Sequence, residues 1–173
     1  MTTVVPATVH YKEQNMNDIP LGAFTSIIYR SQFVRINNRM KELGLSAGQF
    51  FVLIILSIEQ GITQDTLAGK LLIDKGSIAR AVNVLEDKSL VKRITDENNR
   101  RAVRLYLTET GKQLIPEIVR IDNEWEEAAF SGFTEEEKTQ AKELLHKIAK
   151  NSYESAYKKG DKKWKEFPLK DLQ

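Results

Sequence analysis

The chain has 173 residues, of which 41% are hydrophobic and 29% are charged, and its net charge is +2. These values describe an ordinary soluble globular protein, and they exclude a strongly basic or disordered chain. The absence of cysteine excludes disulfides, zinc–thiolate sites and thiol redox sensing.

Other simple classes are also disfavoured by the sequence. His10 and His146 are the only histidines and lie far apart, so we expect no metal site and no cofactor. No apolar run approaches the roughly 20 residues of a membrane span, and the first residues lack a basic region followed by an apolar one. We therefore expect a cytoplasmic protein without a membrane partner.

The first third of the chain predicts an N-terminal arm followed by two helices. Residues 1–19 show no strong period. In residues 20–45 apolar residues recur at helical spacing, and the helix should end near Gly44. Ser46 and Gln49 form a capping-box pattern that predicts the start of the second helix. This helix, FFVLIILSI in its body, is apolar almost all round, so it should be buried on most sides.

A helix–turn–helix followed by a hairpin is predicted next, within residues 46–107. Thr63 can cap a third helix, and Asp74 can cap a fourth that runs to about Lys88. The two strand-like runs LVKRI and AVRLYL follow, separated by TDENNRR. This order is typical of a winged helix, which places a helix in one DNA groove and a cationic hairpin in the next.

The fourth helix has the pattern of a recognition helix. Its apolar residues share one side, and the opposite side is centred on Gly76, Arg80, Asn83 and Asp87. Ser77, Arg80 and Asn83 would read base edges, and Lys75 in the first turn would contact a phosphate. The alternative is a solvated helix face with incidental charge.

The hairpin adds positive charge beside this helix. Arg100 and Arg101 lie in or beside its turn, where they can enter the minor groove or lie across it. Between Lys70 and Arg104 there are nine Lys and Arg against five Asp and Glu, a local net charge of +4. The alternative is an edge strand whose charges protect it from aggregation.

The last third predicts two long helices and a basic tail. Residues 108–157 are helical by period, and Thr134 and Glu137 form a second capping box. With residues 20–45 they would form a helical dimerisation region, whereas residues 158–173 would form the tail. The candidate interface residues, which could equally pack within one chain, are Leu21, Phe24, Ile28, Leu144, Leu145 and Ile148.

The residues from about Pro20 to Tyr157 resemble the MarR family of winged-helix transcriptional regulators. The family's wing signature, D-x-R followed by L-T-x-x-G, aligns with Asn99, Arg101, Leu107, Thr108 and Gly111. The start of the fourth helix and the segment FTEEE also look like the family's pattern. Asn99 departs from the family aspartate, which removes a charge that helps to fix the wing arginine.

The resemblance implies a homodimer in which the first and the last two helices of each chain interlock. It also implies a pseudo-palindromic operator, a repressor role and release by small phenolic anions, and it assigns Arg101 to the minor groove. A pocket for an aromatic carboxylate would involve Tyr29, Arg30 and Phe33, although such residues on a helix are commonly surface residues.

We therefore predict a mainly α (α+β) fold, with a winged helix-turn-helix DNA-binding lobe and long terminal helices that form a dimerisation lobe. The expected function is sequence-specific binding of double-stranded DNA as a homodimeric transcriptional regulator. The alternative is a winged-helix module for protein–protein interaction. An enzyme is not expected, because the sequence has no Gly-rich phosphate loop, cysteine nucleophile or metal cluster.

Overall fold

The structure, a computed structural model, describes residues 16–97, 99–100 and 102–156. After a 3₁₀ turn at Met16–Asp18, these residues form six helices and three strands. The helices are α1 (Leu21–Glu42), α2 (Ala47–Ile58), α3 (Gln64–Leu71), α4 (Lys75–Asp87), α5 (Glu109–Ala129) and α6 (Glu135–Ala156). The strands are β1 (Ile62–Thr63), β2 (Val91–Thr95) and β3 (Val103–Leu107). The basic tail predicted at 158–173 and most of the arm, residues 1–15, lie outside the described residues.

Side-chain caps begin the helices where the sequence predicts them. The Ser46 amide donates to Oε1 of Gln49 over 2.8 Å at the start of α2. Oγ1 of Thr63 accepts from the Thr66 amide at α3, and Oδ1 of Asp74 accepts from the Ser77 amide at α4. Thr134 and Glu137 exchange hydrogen bonds at α6. These caps satisfy amides that have no partner within the helix, so they fix where each helix begins.

The core is built around α2, as its apolar composition predicts. Phe50, Leu53 and Leu56 of this helix are at most 1% exposed. They pack against the C-terminal half of α1, the inner side of α4 and the buried side of α5. The buried residues that these three helices contribute are Ile36, Met40, Ile78, Val82, Leu85, Ile118 and Ile121.

The strands form one antiparallel sheet in the order β1–β3–β2. In the β2–β3 hairpin, Val91 is paired with Leu107 at the base and Thr95 with Val103 toward the tip. Leu105 and Leu107 are buried, whereas Val103 is 40% exposed. The hairpin is therefore anchored in the core at its base, and its tip extends beyond the core as a wing.

A tight joint connects the hairpin to α5. Oγ1 of Thr108 donates to the Ser89 carbonyl over 2.6 Å, and the Thr108 amide donates to the Leu90 carbonyl over 3.1 Å. Gly111, in the first turn of α5, lies so close to the Leu90 carbonyl that a β-carbon would overlap its oxygen. Only glycine allows α5 to begin against this carbonyl.

The terminal helices leave an apolar surface uncovered within one chain. Leu21, Phe24 and Ile28 of α1 are between 38% and 52% exposed, although α1 is buried in the core at Ile36 and Met40. No described residue of α6 is buried, and its Leu144 and Leu145 are exposed. Among the described residues, no helix is by itself long and apolar enough to cross a membrane.

Candidate nucleic-acid interface

Helix α4 has one buried side and one exposed side. Ile78, Val82 and Leu85 are at most 2% exposed, and they hold the helix on the core. One turn before α4, Leu72 adopts the left-handed conformation at a φ of 54°, which ends α3 and starts the turn. Gly76, Arg80, Asn83 and Asp87 lie on the exposed side of α4, as the sequence predicts.

The first turn of α4 brings Asp74, Ser77 and Arg80 together. The Ser77 hydroxyl oxygen accepts from Nη2 of Arg80 over 2.9 Å. The Ser77 side chain, then the Ser77 amide, hydrogen-bonds Asp74 and lowers the pKa of this carboxyl below its ordinary value of 3.8, and Arg80 lowers it further. The guanidinium of Arg80 is therefore held at the surface by one neutral hydrogen bond and one nearby negative charge.

Lys75 is also exposed, and it is paired across the helix–turn–helix. Its Nζ lies 2.6 Å from Oδ2 of Asp65 in α3. Both side chains are more than half exposed, so the pair is weak and screened by salt. Lys75 can therefore exchange this carboxylate for another anion at little cost.

Asn83 lies next to a cluster that the sequence analysis does not anticipate. Its Oδ1 accepts from Nη2 of Arg93 in β2 over 2.7 Å. Arg93 also pairs with Glu86 through Nη1. With its amide oxygen turned toward Arg93, Gln64 of α3 accepts from Nη2 and Nε over 2.7 and 3.2 Å. One guanidinium therefore ties β2 to both helices of the helix–turn–helix.

The wing turn presents Arg100 to the solvent. The backbone closes the turn, because the Asn99 amide donates to the Asp96 carbonyl over 3.2 Å and the Ala102 amide donates to the Asn99 carbonyl over 2.7 Å. Arg101, assigned to the minor groove by the sequence analysis, lies outside the described residues, as does Asn98.

Arg104 braces the wing from within. Its Nε lies 2.6 Å from Oδ2 of Asp96, and its Nη1 donates to the Gly61 carbonyl over 2.8 Å. The Asp96 side chain is only 14% exposed. Arg104 therefore fixes the wing to the segment that precedes β1. The positive charge of Arg104 is neutralised by Asp96, an acid of the same hairpin.

The three residues proposed for ligand binding lie together on α1. The ring centroids of Tyr29 and Phe33 are 6.2 Å apart, and Arg30, which follows Tyr29 in the sequence, donates from Nε to Oγ of Ser26. All three are exposed within the single chain. The described residues contain no group of three or more His, Asp and Glu that could hold a metal ion.

The braces at Arg93 and Arg104 are the functional features that the sequence analysis misses. Arg93 is ten residues from Asn83, and Arg104 is 43 residues from Gly61. Their partners depend on how the hairpin packs against α3, α4 and β1. The only local signal is that Asn83 and Glu86 are three residues apart, which places them on neighbouring positions of a helix surface.

Comparison with known proteins gives a consistent result. A model of the MarR family matches residues 45–103. The chain is also similar to YybA, an uncharacterized HTH-type transcriptional regulator of Bacillus subtilis (strain 168). The two are 36% identical over 115 residues, which are 66% of this chain and 77% of the relative.

Solved structures share the same architecture. A MarR transcriptional regulator from Methanosarcina mazei Go1 is 36% identical, with a TM-score of 0.74 over 78% of this chain and 96% of its own. A putative MarR family transcriptional regulator from Listeria monocytogenes, solved in complex with a 26mer DNA, is 32% identical. Its TM-score is 0.74, and the match covers 82% of this chain and 97% of its own. The predicted mainly α winged-helix fold is confirmed.

Proposed function

This chain belongs to the MarR family of transcriptional regulators, and from that premise we propose that it is a homodimeric repressor that binds a pseudo-palindromic operator in duplex DNA. The observation that carries the proposal is the exposed side of α4, with Arg80 and Asn83 facing outward from a helix that the core holds firmly. The relative solved with a 26mer DNA supports duplex DNA as the ligand.

The groups on α4 suit the major groove. Gly76 has no side chain, which allows the helix to come close to the base edges. Arg80 can form two hydrogen bonds with guanine, and a bidentate pair of this kind contributes about 1–3 kcal/mol of discrimination. Ser77 and Asn83 add shorter polar groups, and Lys75 is placed for a phosphate.

The wing is proposed to contact the neighbouring minor groove. Arg100 lies exposed in its turn, and Arg101 follows it in the sequence. Cations at the end of a protruding hairpin are attracted by the negative potential of a narrow A·T-rich minor groove. The ion pair between Arg104 and Asp96 would hold the wing at a fixed angle for this contact.

Residues 46–107 would thus form the DNA-binding lobe, and residues 20–45 and 108–157 the dimerisation region. The exposed apolar surface of α1 and α6 supports this division. Because α6 has no buried residue, packing within one chain contributes little to its stability. A second chain that covers this surface would set two α4 helices about one DNA turn, roughly 34 Å, apart.

A salt titration tests DNA binding. Anisotropy of labelled genomic fragments should show binding that weakens steeply between about 50 and 200 mM salt, because each phosphate contact releases counterions. Failure to bind any duplex at low salt would overturn the proposal. That outcome would favour the alternative, a winged helix used only for protein–protein contact.

Ligand release is the remaining part of the proposal. Tyr29 and Phe33 could stack on an aromatic carboxylate whose charge is neutralised by Arg30, with the partner chain as the opposite wall. Such a ligand would act only if it favoured a dimer in which the α4 helices are wrongly spaced for DNA. Salicylate should then displace the bound operator and raise the melting temperature of the free protein. Absence of both effects would overturn this part alone.

A further inference from the structure

Arg104 connects the wing turn with the start of the helix–turn–helix. Its Nε lies 2.6 Å from Oδ2 of Asp96, the residue that follows β2 and begins the wing turn. Its Nη1 donates over 2.8 Å to the carbonyl of Gly61. Two residues after Gly61, Thr63 caps α3. One guanidinium therefore joins the wing turn to the residues that lead directly into the helix–turn–helix.

The backbones of both partners of Arg104 are also held by hydrogen bonds. The Asp96 amide donates to the Ala102 carbonyl over 2.9 Å across the wing turn. The Gly61 amide donates to the Leu105 carbonyl over 2.8 Å, which attaches this segment to β3. Because a guanidinium is a rigid planar fork, it fixes two such partners relative to one another. The wing turn cannot tilt away from Gly61 without breaking at least one contact of Arg104.

We propose that Arg104 is a positioning residue that sets the distance along the operator between the two contacts of each lobe, the wing in the minor groove and α4 in the major groove. This inference rests on the proposed function, in which both elements contact DNA. It gives the operator a further feature, an A·T-rich tract at a fixed number of base pairs from the position read by Arg80. Arg104 would decide that distance without touching a base.

The acid of the pair separates positioning from simple attraction. The Asp96 side chain is 14% exposed and lies against Arg104, so the two charges largely cancel within the wing. Asp96→Ala would raise the net charge of the wing by one unit. Attraction alone predicts that this variant binds DNA more tightly. Positioning predicts the opposite, because the wing turn loses a contact that holds it over the minor groove.

Selection of bound duplexes from a random pool tests the fixed distance. The wild type should enrich an A·T-rich tract at one distance from the position at which Arg80→Ala loses its base preference. Arg104→Met should keep the preference at that position, but the tract should disappear or spread over several distances. Lys92→Met is the matched control, since it removes one positive charge from an exposed residue of the same hairpin. Its tract should stay at the wild-type distance.

Binding to the selected operator tests the sign of the effect. The affinity of Asp96→Ala should fall about tenfold despite its higher net charge, as for residues coupled in one network. Asp96→Ala combined with Arg104→Met should bind no more weakly than Arg104→Met, because both changes break the same contact. Arg104→Lys keeps the charge, but one ammonium cannot reproduce the fork, so it should resemble Arg104→Met. If Arg104→Met does not fold, as judged by its melting curve, Asp96→Ala and Arg104→Lys decide the matter.

The outcomes distinguish this inference from the proposed function. A wild type that enriches no sequence would overturn the proposed function, and this inference with it. A wild type that enriches an operator without an A·T-rich tract at a fixed distance would overturn this inference alone. The same holds for an Asp96→Ala variant that binds as tightly as the wild type or more tightly, and for an Arg104→Met variant with unchanged preferences.

Discussion

Among the single residues, Arg80 has a defined side-chain position on α4, but the contact that holds it there is easily exchanged. It is exposed on α4, and its side chain donates a hydrogen bond to the neutral hydroxyl of Ser77. A neutral, exposed hydrogen bond has a small net free energy, so guanine can replace it. Arg93 and Arg104 differ, because each is tied to at least two groups of the same chain.

Arg80→Ala should therefore remove discrimination at particular base pairs and leave the fold intact. The expected loss is about 1–3 kcal/mol of preference for guanine over other bases at one position in each half-site. Competition with duplexes substituted at single positions measures this preference, and a melting curve checks the fold. A variant with wild-type preferences at every position would show that Arg80 does not read bases.

Gly111 is the residue on which the start of α5 depends. Gly111→Ala should lower the free energy of unfolding by about 1–3 kcal/mol, because the added methyl group overlaps the Leu90 carbonyl and α5 must shift. Gly69→Ala is the matched control, since nothing lies within 4 Å of its added β-carbon. That change should stabilise α3 by up to about 1 kcal/mol through helix propensity. Urea denaturation distinguishes the two, and equal effects would contradict the role given to Gly111.

Among the elements, the starts of the helices could be predicted from the sequence better than the side-chain contacts between the hairpin and the helices. Ser46, Thr63 and Asp74 were identified as caps because capping depends on residues within one turn. The buried side of α4 followed from helical period in the same way. The pairs of Arg93 and Arg104 could not be predicted, because they require the packing of the hairpin against α3, α4 and β1. As a result, both arginines enter the sequence analysis only through the local net charge between Lys70 and Arg104.

The cap of α4 gives this element a pH dependence. Hydrogen bonds from Ser77 hold the pKa of Asp74 below its ordinary value of 3.8. The charged carboxylate therefore stabilises the folded protein at pH values above the unfolded-state pKa, and this stabilisation is lost as the pH falls through the folded-state pKa. Asp74→Ser keeps a neutral cap and removes the titrating group.

The wild type should be more stable than Asp74→Ser at pH 7, and the difference should shrink once the pH falls below about 3.8. Urea midpoints at pH 7, 5, 4 and 3 measure the difference. A difference that stays constant across this range would show that the charge of Asp74 contributes nothing to the cap.

In the molecule as a whole, the core and the proposed dimer surface occupy different parts of α1, whereas α6 contributes only to the proposed surface. The C-terminal half of α1 is buried against α2 and α5, whereas its N-terminal half is exposed. A substitution on the exposed half should therefore change assembly without unfolding the lobe. The boundaries 20–45, 46–107 and 108–157 remain predictions.

Ile28→Glu combined with Leu145→Glu should convert the proposed dimer into a folded monomer, since both side chains are more than 40% exposed in one chain. Operator affinity should fall about a hundredfold, because the two lobes no longer bind as a linked pair. Ile58→Glu is the control, as this residue is 66% exposed at the end of α2 and lies outside the proposed dimerisation region. Light scattering gives the mass, and a double variant that remains dimeric would refute the assigned interface.

The joint between the hairpin and α5 limits how the protein can respond to a signal. Because Thr108 and Gly111 press the first turn of α5 onto Ser89 and Leu90, the end of α4 cannot turn on its own when α5 moves. A rotation of α5 would carry α4, the turn after it and the β2–β3 hairpin as one rigid unit. In the proposed dimer, a signal would then change the distance between the two α4 helices without changing either helix. A modest tilt of both α5 helices would put that distance out of register with the helical repeat of DNA.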